Sequence, residues 1–477
     1  PMDADRAVLQ FHFDGRQKFH GEKVKFSNIY FGPERLDFIP PKPPETTLEI
    51  VPGFETASVY LQNCRADSAE GCRAKLAFRL ASDDQWQEAL SPVYLSDERS
   101  LRGSIVHLKE GTEYEIRLTV NDDGNEKRLT SRFKTLSSNV RIRETIELSE
   151  ENCPIPFIPP KTGSEEEGFV RYVPKPGFIL DAGTKADCAV RFHDSQFIIF
   201  DGFTVRGGRR NGIELENAKN IRILNCDIAG YGRVGEHRPD LDGKFYENGK
   251  ALNNDCGIRI ISSETILVER CFIHDPRGTS NSWFYSHPSG PNAVFVGDTA
   301  GLCLRWNDFI GSDLHRWNDS VEGQGNGSNS GSVRRDAEIS GNYFAFGNDD
   351  GMELDGGQIN CRFFFNLTEG HLCGVSTAPC RRGPSYLWQN LFCAAGDEFG
   401  FVGVGFKNNY QNLGAAPTFF IANTILTHSV SFSSPGGTRE EYLALAPTRP
   451  FKAFARNNLS QNASAASKSF FDNLRSD

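Results

Sequence analysis

The residues of this chain best suited to chemistry are carboxylic acids crowded between positions 319 and 355. Asp319 and Glu322 fall in the run D-S-V-E-G, and Asp349, Asp350, Glu353 and Asp355 fall in D-D-G-M-E-L-D-G. Both runs have the alternation of short strands, and in a strand residues i and i+2 share a face, so Glu353 and Asp355 point the same way. If the two runs occupy neighbouring strands, ~4.8 Å apart, Glu322 comes alongside Glu353, with Asp319, Asp349 and Asp350 at the strand starts. Like charges set directly opposite each other destabilise a sheet. The same crowding keeps one carboxyl protonated while a neighbour stays ionised, the state that acid–base cleavage of a glycosidic bond needs. The candidate catalytic set is Glu322, Glu353, Asp355 and Asp350. The competing reading is a solvated face whose acids are held by arginines such as Arg259, Arg334 or Arg335.

The neighbouring placement comes from a repeat. Segments including FIIFDGFTV (197–205), IRILNCDI (221–228), LCLRWNDFI (302–310), AEISGNYFA (337–345), NCRFFFNL (360–367) and YLWQNLF (386–392) share one shape. Aligned on asparagine they give Asn225, Asn307, Asn342, Asn366, Asn390, Asn423 and Asn457, with Gly202 and Arg270 filling gaps. Asn342, Asn366 and Asn390 are 24 residues apart. A period this short, built from strands, predicts a parallel β-helix with a buried asparagine ladder. A second strand in each coil places Ile213, Ile258, Val294, Val321, Met352, Val375 and Val404 inward. Glu214, Arg259, Phe295, Glu322, Glu353, Ser376 and Gly405 then point outward, with Asp355 and Lys407 two positions beyond their coil's outward residue.

Three long insertions (230–255, 276–291 and 312–332) overhang this outward face and carry Trp283, Tyr285, His287, His315, Arg316 and Trp317. Mixed aromatic and polar loops suit sugars, whose ring faces are apolar and whose rims are hydroxyls. The candidate substrate-binding residues are Arg259, Trp283, His287, His315, Arg316, Trp317, Arg381 and Lys407.

Ahead of the repeat lie other elements. Residues 1–44 hold a β-rich stretch and a proline-rich linker, I-P-P-K-P-P, which no helix or central strand accommodates. Residues 45–137 alternate in short runs at the spacing of a β-sandwich. Residues 138–170 form an irregular linker or cap, and the β-helix runs over 171–477. Among the cysteines, Cys64 and Cys72 are placed either to form a local disulfide or to be buried thiols.

Composition narrows the function classes. A net charge of -10 argues against a nucleic-acid partner, and no stretch approaches the ~20 apolar residues of a membrane span. The chain opens Pro1-Met2-Asp3 without a leader. We read this as a processed or recombinant start, so a secreted, periplasmic or cell-surface location is expected.

Two resemblances add to this. The run from Leu108 to Val120 resembles the tyrosine-corner segment of fibronectin type III domains, which implies that Tyr114 bonds back to the preceding loop and that Trp86 is the core tryptophan. The strings HPSGPNAVFVGD, HRWNDSVEG, RDAEISGNYFAFGNDDGMELDGG and CGVSTAPCRRGPSYLWQN resemble secreted right-handed parallel β-helix proteins of polysaccharide-degrading bacteria. That resemblance implies an all-β chain that handles a polysaccharide or oligosaccharide. It does not fix the activity, since such folds include hydrolases, lyases, epimerases and adhesins. A glycoside hydrolase using the acidic cluster is the leading expectation, with no cofactor. The alternative lyase would use Ca²⁺ to neutralise a uronate and a basic residue to take the proton. A non-catalytic glycan-binding rod is the third reading.

Overall fold

The structure, a computed structural model, describes residues 45–477 apart from 327, 378–379, 401–402, 409–416, 428–431, 434–452, 461–470 and 476–477. The N-terminal segment 1–44 expected from the sequence lies outside the described residues.

The first described elements make two four-stranded antiparallel sheets. One orders Thr47–Pro52, Ala57–Gln62, Ser100–Ile105 and Val93–Leu95; the other orders Gln87–Glu88, Cys72–Leu80, Glu113–Asp122 and Asn125–Lys134. Alternation along Glu113–Asp122 buries Tyr114, Ile116, Leu118 and Val120 against Val59, Leu61, Leu76 and Leu101. The Tyr114 hydroxyl accepts the Lys109 N–H at 2.8 Å, a bond back to the preceding loop. Trp86 is not in this core, contrary to expectation. It lies half-buried on the sheet surface under the guanidinium groups of Arg79 and Arg117, at 4.7 and 4.3 Å. Cys64 and Cys72 are buried side by side as thiols.

The rest of the described residues form a right-handed parallel β-helix. Its coils contribute strands to three ladders, in which a strand pairs in parallel with its counterpart one coil on, and the insertion after Ala229 adds a small antiparallel sheet of Glu236–His237, Phe245–Glu247 and Lys250–Ala251. The segment expected as linker or cap closes the first end. Its strand Ile142–Leu148 pairs in parallel with Phe169–Pro174, and Phe157 joins the core. Inward residues stack as Ile213, Ile258, Val294, Val321, Met352 and Val375, all fully buried. The next rung is Phe406, not Val404, so the outward residue there is Lys407 and not Gly405. An inserted loop joins Cys373–Thr377 to Val404–Asn408, which allows the two-residue offset.

The asparagine ladder is real but begins later than the alignment suggests. Each of Asn307, Asn342, Asn366, Asn390 and Asn423 donates its Nδ2 to the next asparagine's Oδ1 and to a backbone carbonyl one coil back. The sixth rung is Asn458, not Asn457. Asn225 is one residue early. It sits at the bend with φ 52°, the place Arg270, Trp306 and Gly341 take in other coils. The inward slots of those first coils are Cys226 and Cys271, whose thiols donate to the carbonyls of Leu224 and Glu269. A small weak donor thus fills the slot before the amide ladder starts, and aligning by residue type shifted the frame. Replacing Asn366 by leucine strands the Asn342 N–H and the Ile339 carbonyl in the core. A loss of about 3 kcal/mol is expected, read by chemical denaturation, since each orphaned buried group costs roughly 1–3 kcal/mol.

The sandwich is docked on the ladder that carries Thr299–Arg305, Glu338–Ser340 and Cys361–Phe364. The buried Glu338 carboxylate accepts the Phe54 and Glu55 N–H groups at 3.0 Å and the Thr56 hydroxyl at 2.8 Å. Arg362, its neighbour on the next strand, donates to Ser58 and Ser104 hydroxyls at 2.5 and 3.3 Å. Tyr60 donates to Asp336. The sandwich therefore covers a face other than the one bearing the acids. Among the described residues no helix is long and apolar enough to cross a membrane.

Candidate active site

The acids lie on the nine-stranded parallel sheet that includes Asn292–Gly297, Val321–Gly323, Asp350–Glu353, Cys373–Thr377 and Val404–Asn408. Val294 pairs with Val321 and Val321 with Met352, which sets Phe295, Glu322 and Glu353 on one outward column as the alternation predicts. One oxygen each of Asp319, Glu322 and Glu353 lies within 4.8 Å of the others, and the same holds for Asp319, Asp349 and Asp350. Asp319 belongs to both groups and is the centre of the cluster.

The six acids are held differently. Glu353 is engaged on both oxygens, accepting the Gly323 N–H at 2.9 Å and the Asn326 Nδ2 at 2.6 Å. Asp355 accepts the Ser376 hydroxyl at 2.7 Å. Glu322, the most exposed of the group, accepts Asn292 and Asn318 amides on one oxygen at 3.1 and 2.6 Å. Asp319 accepts the Asp350 N–H at 2.7 Å. Asp350 meets the Lys407 ammonium at 2.6 Å, and Asp349 lies 3.9 Å from the same nitrogen. The Oδ1 atoms of Asp349 and Asp350 are buried and have no hydrogen-bond donor.

These surroundings separate the protonation states. Burial, then the charges of Glu322 and Asp349, push Asp319 well above the carboxylate range. Burial, then Asp355 and Glu322, does the same to Glu353. Burial raises Glu322 against hydrogen bonds from Asp319, Asn292 and Asn318 that favour its charge. Asp349 is raised by burial against the opposing pull of Lys407 and His287. Asp350 is pushed up to about 6 by burial, with Lys407 holding it there. Burial works against the Lys407 charge, but Asp350 and Asp349 more than offset it, so the ammonium persists well above its ordinary range. His371, packed under the cluster with its Nε2 2.8 Å from the Ser320 hydroxyl, is pushed down to about 3 by burial and is a neutral hydrogen-bonding prop.

Of the other candidates, His287 is exposed and reaches to 3.7 Å from Asp349, with the Trp283 ring 4.7 Å from its own. Arg259 lies on the same outward column, beside Phe295 and so two rungs from Glu322. Arg381 is held at the edge by Asn329, at 3.1 Å. Three expectations are corrected. Trp317 is fully buried in the β-helix core and presents no face to a sugar. Arg316 is buried, paired with Asp313 at 2.9 Å and with Glu398 of another loop at 3.9 Å, and so braces two loops. His315 closes a turn against the Gly278 carbonyl and does not reach the acids. Within an insertion no period tells inward from outward, so residue type alone was a poor guide there. Asp319 and Asp349 lie outside the catalytic set expected from the sequence. The repeated Asn-Asp pairs at 318–319 and 348–349, one coil apart, were the available signal.

No protein-family model matches the chain, and no curated protein matches it. Among solved structures it is similar to the Family 28 exopolygalacturonase of Yersinia enterocolitica, at 10% identity over 88% of this chain and 91% of that one, with a TM-score of 0.34. It is similar to the catalytic unit of the GH87 α-1,3-glucanase of Streptomyces thermodiastaticus, at 9% identity over 88% and 89%, with a TM-score of 0.25. Over 20% of its length the chain is similar to the sensor domain of the anti-sigma factor RsgI4 of Pseudobacteroides cellulosolvens, at 23% identity over 99% of that domain, with a TM-score of 0.16. At TM-scores this low none of these likenesses carries a functional argument.

Proposed function

We propose that the chain is a glycoside hydrolase that cleaves a polysaccharide at the carboxylate cluster. The observation that carries this is the division of proton states around Asp319. Asp350 is held by an ammonium and presents an oxygen that no protein donor satisfies, while Asp319 and Glu322 lie together under conditions that retain a proton. Asp350, with Asp349 beside it, is the base that takes a proton from water or attacks the sugar carbon. The Asp319–Glu322 pair is the acid that protonates the leaving oxygen, with Glu322 the member reaching solvent. Glu353 and Asp355 set the electrostatics around them. The sugar-handling groups are His287 and Trp283 at the rim, with Arg259 along the column. Such a substrate is met outside the cytoplasm.

Two features favour hydrolysis over elimination. Lys407 stays protonated and so is no base for a lyase. Its ammonium also bridges Asp349 and Asp350, two acids of one of the two groups whose oxygens could hold a divalent cation. Incubation with plant, algal and microbial polysaccharides is expected to release new reducing ends without the near-ultraviolet absorbance of unsaturated uronates. Chelation by EDTA is expected to leave the rate within about twofold, since no step needs a metal. Unsaturated products, or activity restored only by Ca²⁺, would replace this reading by the lyase.

A further inference from the structure

Beside the cluster, two loops expose large aromatic rings. Phe284 is 65% and Phe399 60% exposed, and their ring centroids are 5.7 Å apart. Tyr285 packs edge-on to both, at 5.0 and 6.0 Å. A pair of solvent-facing phenylalanines costs solubility and points to a partner. The pair is also built. One buried carboxylate, Asp397, accepts the Phe399 N–H at 3.0 Å and the Trp283 N–H at 3.2 Å, together with the Ser282 hydroxyl. Ser282 in turn accepts the Phe284 N–H at 2.9 Å. A single side chain thus fixes both ring-bearing loops.

The platform is continuous with the acids. On one side the chain of contact runs Phe284, Trp283, His287, Asp349, the last two steps at 4.7 Å between rings and 3.7 Å to the carboxylate. On the other, Glu398 and Asn348 exchange hydrogen bonds at 3.3 and 3.4 Å, tying the Phe399 loop to the residue before Asp349. We propose that Phe284 and Phe399 form a subsite on which a sugar ring of a neutral polysaccharide stacks, next to the point of cleavage; this rests on reading the cluster as glycoside-cleaving. Ring faces of a pyranose are apolar and pack on phenylalanine as on any aromatic surface. Charge selects the class of polymer. Carboxylates run along the path from Asp397 and Glu398 to Asp349 and Asp350, and the cations beside them are already paired, Arg316 with Asp313 and Glu398 and Lys407 with Asp350 and Asp349, which disfavours a polyuronate.

The test uses the whole chain carrying Asp350→Asn, which blocks turnover, in affinity electrophoresis against a mixed-linkage β-glucan, a galactomannan, a xyloglucan and polygalacturonate. Binding to at least one neutral polymer and not to polygalacturonate is expected. Adding Phe284→Ala and Phe399→Ala is expected to weaken that binding about tenfold or more, with an unchanged melting temperature because both rings are exposed. Equal affinity in the ring variant, binding to polygalacturonate, or no binding to any neutral polymer overturns the proposal. Cleavage by the wild-type and Asp350→Asn chains is assayed in parallel. An Asp350→Asn chain that cleaves at a tenth of the wild-type rate or more overturns the catalytic reading, whereas loss of cleavage with unaltered ring-variant binding overturns the subsite alone.

Discussion

Replacing Asp350 by asparagine is expected to lower kcat on the cleaved polysaccharide by about 10³-fold, in the middle of the range that a positioned base supplies, with little change in KM. The side chain keeps its size, so the strand Asp350–Glu353 keeps its register and the inward Met352 keeps its packing. What is lost is the carboxylate closest to the ammonium, which also has an unsatisfied oxygen. The pH profile carries the same idea. Asp350 must be ionised to act, and its carboxyl lies at about 6, so the acidic limb of the rate should rise through that pH. Lys407→Ala removes the opposing charge and leaves burial in command, which moves the limb to higher pH. That variant should lose most activity near pH 6 and recover part of it near pH 8. An Asp350→Asn chain that keeps a tenth of the wild-type rate, or a limb that does not move in Lys407→Ala, would remove Asp350 from the mechanism.

The stacking order of the coils was legible because buried apolar residues recur at fixed places. Ile213 to Val375 could be aligned from the sequence, and Glu322 and Glu353 followed onto one column. The alignment failed where residue type and position part company. Asn225 occupies the left-handed bend that glycine takes in one coil and tryptophan in another, while Cys226 does the inward work. Val404 looked as apolar as its neighbours but lies two residues before Phe406, the true rung. That offset hid the most informative contact of the site, since it placed Lys407 off the column of Glu322 and Glu353, from which its ammonium reaches Asp350. Charge balance could not be read either. Glu353 and Asp355 stand out in the sequence, yet the donors that occupy them, Gly323, Asn326 and Ser376, come from other coils and loops. The aromatic platform was hidden for a similar reason, with Phe284 and Phe399 far apart in the chain and joined through Asp397.

Asp319→Asn should separate stability from activity. In the folded chain this carboxyl is pushed well above its ordinary value by burial and then by Glu322 and Asp349. A carboxyl raised on folding favours the native state while it is protonated, below the unfolded value of about 3.9. That contribution is lost as pH rises through the folded value, because ionising Asp319 works against burial. Asparagine copies the protonated acid. Its oxygen can accept the Asp350 N–H as Asp319 does at 2.7 Å, and its amide can donate toward Glu322, but it never ionises. At pH 7 the variant is therefore expected to be more stable than wild type, by about 1 kcal/mol, the size typical of relieving a strained active-site group. Near pH 3, where the wild-type acid is itself protonated, the two should melt together. The same change removes the proton that the acid pair hands to the leaving oxygen, and kcat should fall by about 10²-fold or more. Thermal melts at the two pH values and a rate at pH 7 decide the matter. A variant that is less stable at pH 7, or one that is stabilised yet fully active, would mean that Asp319 is a structural acid and that the proton donor lies elsewhere in the cluster.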